Sequence, residues 1–250
     1  MKKKYIQLCA TIFSVISTAS VSFSGSLSAT PDDSGLSQGL YLGGSVGYDY
    51  AKIHHQFLFN FTTSHGHSTQ VGYDHLVADG FVGGGFIGYG KKLSNNFYLG
   101  IELLANGSTA SATNQTIYNH SHEELYDGDG YSNNISIKNN IGISFLPGVQ
   151  VNSATLVYGR LGYSQARITG NEGVIFYSEP LGLPQTITPY EVSFSPNGFS
   201  YGLGIETALI KHFSVRGELI HTDYQSFTTS LNNKISVSDN QAALSFLYHF

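Results

Sequence analysis

Ala242, Leu244, Phe246, Tyr248 and Phe250 place an apolar or aromatic side chain at every second position of the last stretch of the chain. Ala243, Ser245, Leu247 and His249 stand between them. A period of two is the signature of a β-strand, with one strongly apolar face and one mixed face. The same pattern recurs upstream. In 40–50, Leu42, Gly44, Val46, Tyr48 and Tyr50 share a parity, and Tyr41, Gly43, Ser45, Gly47 and Asp49 take the other. In 97–106, Phe97, Leu99, Ile101, Leu103 and Ala105 oppose Tyr98, Gly100, Glu102 and Asn106. Further alternating runs are 135–151, 156–168, 200–210, 213–223 and 241–250. A glycine-rich run, 81–90, completes eight predicted strands, and its parity is ambiguous.

The spacing between runs is unequal. Short polar turns follow the second, fourth and sixth strands, at 91–96, 152–154 and Lys211-His212. Long connections follow the first, third, fifth and seventh, at about 51–77, 107–134, 169–198 and 224–239. An outer-membrane barrel has short periplasmic turns and long external loops. The expected fold is therefore all-β: a transmembrane, eight-stranded, antiparallel up-and-down barrel, with ten strands as the structural alternative. The apolar face would meet lipid, and Phe246, Tyr248 and Phe250 would carry the assembly signal of the closing strand.

Charge follows the same parity. Glu102, Arg160, Glu206, Arg216 and Glu218 all fall opposite the aromatic face. They are the candidate interior charges of a narrow barrel. Mutual pairing would be required there, since an isolated buried charge is heavily penalised. An eight-stranded lumen is just wide enough for side chains to fill, so a plugged barrel is expected rather than an open pore.

The amino terminus adds an export signal. Lys2, Lys3 and Lys4 precede an uncharged, mostly apolar run, 5–19, with possible cuts after Ala19 or Ala29. That run is shorter than the ~20 residues of a spanning helix. The expected organisation is 1–29 signal peptide (or 1–19), 30–38 a short periplasmic segment, and 39–250 the barrel. Removing the three lysines takes the formal charge from −5 to −8, which excludes a basic nucleic-acid footprint. The single cysteine, Cys9, would leave with the signal.

Function is expected in the long connections. Phe57, Phe59 and Phe61 alternate in the first, so the flanking strands could continue outward as a hairpin. With Phe176, Tyr177 and Tyr190 of the third, they are the candidate ligand contacts. His65, His67, His120 and His122 are the metal candidates, since histidine pairs two apart share a face when extended. Without cysteine or a helical His-Glu-x-x-His motif the signal is weak, so no metal or cofactor is assigned. Asp127-Gly128-Asp129-Gly130 reads as a turn. His221-Thr222-Asp223, with Ser226 nearby, is the one stretch with hydrolase-like residue types. It lacks a Gly-x-Ser-x-Gly element, and His221 has lipid-facing parity.

Several motifs, in order, resemble the outer membrane protein A-like and opacity-protein-like barrel families. They are Tyr41-Leu42-Gly43-Gly44-Ser45-Val46-Gly47-Tyr48, Phe97-Tyr98-Leu99-Gly100-Ile101-Glu102, Leu146-Pro147-Gly148-Val149, Tyr158-Gly159-Arg160-Leu161-Gly162-Tyr163, Gly202-Leu203-Gly204-Ile205-Glu206 and Val215-Arg216-Gly217-Glu218. The resemblance implies a location in the bacterial outer membrane, contact with its lipids and lipopolysaccharide, and delivery by periplasmic chaperones to the barrel-assembly machinery. It further implies an envelope-structural role, or adhesion to a host-cell or matrix ligand, without enzymatic activity. A small-solute channel and a lipid hydrolase are the alternatives.

Overall fold

The computed structural model describes residues 38–63, 66–93, 96–122, 125–178, 183–186, 190–229 and 233–250, with side chains for these except 57–72, 74, 114–133 and 172–190. The expected signal segment, 1–29, and residues 30–37 lie outside the described residues. The strands are β1 (Gly39–Thr63), β2 (Gly66–Lys92), β3 (Phe97–Ser108), β4 (Ser111–His122), β5 (Leu125–Gln150), β6 (Thr155–Ser178), β7 (Leu183–Thr186), β8 (Tyr190–Phe194), β9 (Asn197–Ile210), β10 (Phe213–Tyr224), β11 (Phe227–Thr228) and β12 (Lys234–His249).

Eight of these close a ring. β1 pairs with β2, β2 with β3, β3 with β5, β5 with β6, β6 with β9, β9 with β10, β10 with β12, and β12 with β1, all antiparallel. The barrel is eight-stranded, with β4, β7, β8 and β11 as flanking pieces. Closure runs to the last residue, where the Phe250 N–H donates to the Leu40 carbonyl at 3.0 Å. The three short turns lie where the pattern puts them, and His212 takes φ +68° in the tightest.

Parity is as expected through the lower half. Leu42, Val46, Ile101, Leu103, Phe145, Leu161, Leu203 and Phe246 are exposed around the outside, while Tyr41, Asp49, Glu102, Leu146 and Tyr158 are buried inside. The exposed belt is the lipid-facing surface. Phe250 points outward, edge-on to Tyr248 with centroids 5.1 Å apart. On the glycine-rich strand the ambiguity resolves with Val82 and Gly88 inside and Phe81 and Ile87 outside. Gly88 gives up its side-chain space to the Tyr41 ring directly across the ladder, and Gly204 does the same for Tyr158.

Above this belt the pattern inverts. On β1 the apolar residues leave the outer parity at Tyr50 and take the inner one at Ala51 and Ile53, with Lys52 and His54 now outside. The register with β2 runs through this point without a break. β5 reaches the same result through a bulge at Lys138, which puts Ile135 and Ile137 inside while Ile141 and Ile143 below it face out. Ala51, Ile53, Leu76, Ala78, Ala110, Ala112, Ile135, Ile137, Ala166, Ile168, Tyr224, Ile235 and Val237 form one buried apolar layer. Here the wall is built like a soluble barrel, with water outside and an apolar core inside.

The long connections need correction accordingly. Residues 107–134 are not an irregular loop but the end of β3, all of β4 and the start of β5. Residues 51–77 are the outer parts of β1 and β2, paired as far as Thr63 and Gly66, which is the hairpin expected from Phe57, Phe59 and Phe61. Residues 169–198 contain the end of β6 with β7 and β8, and 224–239 contain β11 and the start of β12. Residues 127–130 lie in mid-strand, Asp129 opposite Tyr118, and are no turn. Polar Ser, Thr, Asn and His runs become strand here because ladder hydrogen bonds form regardless of side chain.

A charge on the lipid belt should therefore be far more damaging than one above the inversion. Leu203→Arg is expected to lower stability by about 2–4 kcal/mol. Ser193→Arg, exposed on β8, should stay within about 0.5 kcal/mol. Equilibrium urea titration in lipid vesicles measures both.

Candidate functional site

The lower lumen is filled by side chains from all eight ring strands. Glu102 of β3 lies at its centre. One of its oxygens pairs with Arg216 of β10 and accepts from the Tyr41 hydroxyl at 3.1 Å. The other pairs with Arg160 of β6. Arg160 Nε donates to Glu218 Oε1 at 2.8 Å, and its Nη1 donates to Ser144 Oγ of β5 at 3.0 Å. The Tyr158 hydroxyl donates to the same Glu218 oxygen at 2.6 Å. Arg216 reaches Glu206 of β9 through Nη2 at 2.9 Å and Nε at 3.2 Å. Its guanidinium carbon also lies 5.0 Å from the Phe86 ring centre, 5.3 Å from Tyr158 and 5.5 Å from Tyr41.

The structure thus brings together Glu102, Arg160, Glu206, Arg216 and Glu218, each no more than 8% exposed. The sequence reading missed the neutral partners and one titratable group, His249. Its Nε2 is 3.0 Å from Glu206 Oε1, an oxygen that also accepts from Ser214 Oγ at 2.7 Å. The signal was present, because His249 shares the parity of Ala243, Ser245 and Leu247. Three carboxylates face two guanidiniums, and His249 is the further group able to carry positive charge among them. Pairing offsets the desolvation of each ion, and the fork geometry of arginine allows one guanidinium to serve two carboxylates.

A void of about 20 Å³ sits beside this network, lined by Ser45, Phe86, Asn106, Gln241 and the charged groups. That is room for about one water. Above it lie buried Asp49, Asp239, Thr222 and Ser164, with Asn140 Nδ2 donating to the Tyr224 hydroxyl at 3.2 Å. The apolar layer covers these in turn.

The outer candidates are placed less fully. Phe57, Phe59 and Phe61 lie on β1, His67 on β2, His120 and His122 on β4, Phe176 and Tyr177 on β6, and Tyr190 on β8. Their side chains, and His65 altogether, lie outside the described residues. His221 is on the outer face, as its parity implies. Its Nε2 is 3.0 Å from Asp223 Oδ1 and its Nδ1 2.9 Å from Asn240 Oδ1. Ser226 Oγ bonds Ser236 Oγ at 2.7 Å, so those three residues form no nucleophile–base–carboxylate relay here.

The profile of the outer membrane protein beta-barrel domain matches residues 17–250. The chain belongs to that family. Its place is the bacterial outer membrane, in keeping with the apolar belt and the closed ring. An uncharacterized protein of Coxiella burnetii (strain RSA 493 / Nine Mile phase I) is 27% identical over 190 residues, covering 74% of this chain and 69% of that one. Among solved structures, the outer membrane protease OmpT of Escherichia coli is 12% identical, with 90% of this chain and 99% of that chain covered and a TM-score of 0.46. Neisserial surface protein A is 12% identical, with 85% and 98% covered and a TM-score of 0.41. Ail, the attachment invasion locus protein of Yersinia pestis, is 13% identical, with 84% and 99% covered and a TM-score of 0.30.

Arg216→Met leaves Glu206 without a guanidinium and Glu102 with Arg160 alone, and the barrel should lose about 3–5 kcal/mol. Ser236→Ala, outside the network, should be near neutral. Urea-dependent migration on unheated gels compares the two variants.

Proposed function

We propose that the protein is a non-enzymatic recognition protein of the outer-membrane surface, acting through its outer hairpins on a host-cell or matrix ligand. The observation that carries this reading is the division of the barrel by depth. Below, charges and tyrosines occupy the lumen. Above, an apolar core lets the wall continue outward into water as paired strands. A filled lumen leaves little for a solute to pass, and the paired hairpins hold polar and aromatic residues away from the lipid. Phe57, Phe59, Phe61, Phe176, Tyr177 and Tyr190 are the ligand contacts in this proposal. Assembly through Phe246, Tyr248 and Phe250 by the barrel machinery, and contact with lipopolysaccharide around the belt, belong to the same reading.

The test is binding of the refolded full chain to host cells and to immobilised matrix proteins, against a form whose segments 57–72 and 114–133 are replaced by short turns. Heat-modifiable gel migration establishes that both are folded. Binding should be lost in the shortened form. Undiminished binding would refute recognition by the hairpins, and no binding by either form would favour a passive envelope role. In planar bilayers the full chain should give no stable conductance; frequent, stable open steps would defeat the filled-barrel reading.

A further inference from the structure

His54 of β1 and His75 of β2 are directly opposite each other in the ladder, and both are exposed. Their Nδ1 atoms are 2.8 Å apart, with ring centroids at 4.6 Å and planes at 84°. At that separation one ring donates its Nδ1 proton to the lone pair of the other. The two Nδ1 atoms thus face each other across the ladder, and a turn of the rings brings both lone pairs onto one point.

We propose that this pair is a surface site for a divalent transition metal, taking Cu²⁺ in preference to Zn²⁺. On binding, the donating ring passes its Nδ1 proton to solvent and takes one up at Nε2, so both rings stay neutral and each gives an Nδ1 lone pair to the ion. Two nitrogens bound at ~2.0–2.1 Å stand about 2.9 Å apart when cis in a tetragonal site and about 3.3 Å apart in a tetrahedral one. Once the rings turn, the cross-strand pairing brings both nitrogens within reach of either arrangement, and the order of intrinsic affinity puts Cu²⁺ first.

The backbone beneath the pair is fixed on both sides. Ile53 and Leu76, one step below, face each other inside the apolar layer. The metal would therefore require ring rotation but no movement of strand. The location is outside the lipid belt, beyond the Tyr48 hydroxyl and the Asp79 carboxylate that it bonds. Lys52 is exposed on the same face, one step towards the belt, and Ser236 is the β12 neighbour of His54. Among the described residues no group of three or more His, Cys, Asp or Glu gathers to hold a metal. Water would take the positions that no side chain fills.

Continuous-wave electron paramagnetic resonance on the refolded full chain, titrated with copper sulfate in detergent micelles, tests the assignment. The wild type should show an axial Cu²⁺ signal with hyperfine splitting from two imidazole nitrogens. His54→Ala and His75→Ala should each abolish the two-nitrogen pattern and weaken this binding about tenfold or more. His221→Ala should leave it unchanged. Gel migration without heating shows that each variant is folded. A two-nitrogen signal that survives in either single variant, or a wild type without it, overturns the proposal. Zn²⁺ competing as strongly as Cu²⁺ overturns the stated preference.

Discussion

The pairing of β1 with β12 removes the last two free edges of the sheet, and the molecule depends on it. A strand edge in hydrocarbon leaves each of its amide and carbonyl groups without water, at several kcal/mol apiece. Sixteen positions, from Tyr41 opposite His249 to Gln56 opposite Lys234, are matched along this seam. Once the ring is closed, every side chain is assigned to one of two environments. Parity then decides which residue types each strand can carry at each depth.

Closure also creates the lumen, and the lumen has to be filled. Its lower part is crossed by long side chains that reach partners on distant strands, Glu102 to Arg216 and Arg160 to Glu218 among them. The Glu102–Arg216 contact joins opposite walls, so its partners come together only when the ring closes. Arg216 and Glu206 face each other on neighbouring strands, but the full network is compensated only in the closed barrel, which links correct strand order to electrostatic satisfaction. Tyr41 and Tyr158 fit because the residues opposite them are glycines. A methyl group at Gly88 or Gly204 would meet the ring directly.

Much of the barrel was legible in the chain because lipid demands strict alternation. Leu42 with Val46 and Phe97 with Ile101 give the outer face, and Glu102, Arg160 and Arg216 the inner one, without knowledge of any contact. Phe57, Phe59 and Phe61 signalled the first outer hairpin, but the other outer strands were hidden for the same reason. Beyond Tyr50 the apolar parity changes sides, and a reader following one phase sees the strand end. Lys138 adds a second obstacle, since its bulge moves later residues to the other face with no mark in composition. The partners of the charges were hidden differently. His249 and Ser214 are unremarkable in a strand until the ring brings both to Glu206. The pairing of His54 with His75 needed the hairpin register, which no local pattern supplies.

The change of phase at Tyr50 and Ala51 has a mechanical consequence. From Ala51 to Thr63, β1 continues for 13 residues in unbroken register with β2, and a strand advances roughly 3.3 Å per residue. The upper barrel is a mast seated in its own dry footing, independent of the surrounding lipid for its rigidity. Its foot is held at a set depth, because sinking would carry Lys52 into oil and rising would lift Val46 and Phe81 into water. The strand ends at Thr63 and Gly66 therefore stand off from the membrane, and the reach of any recognition is written into the strand lengths.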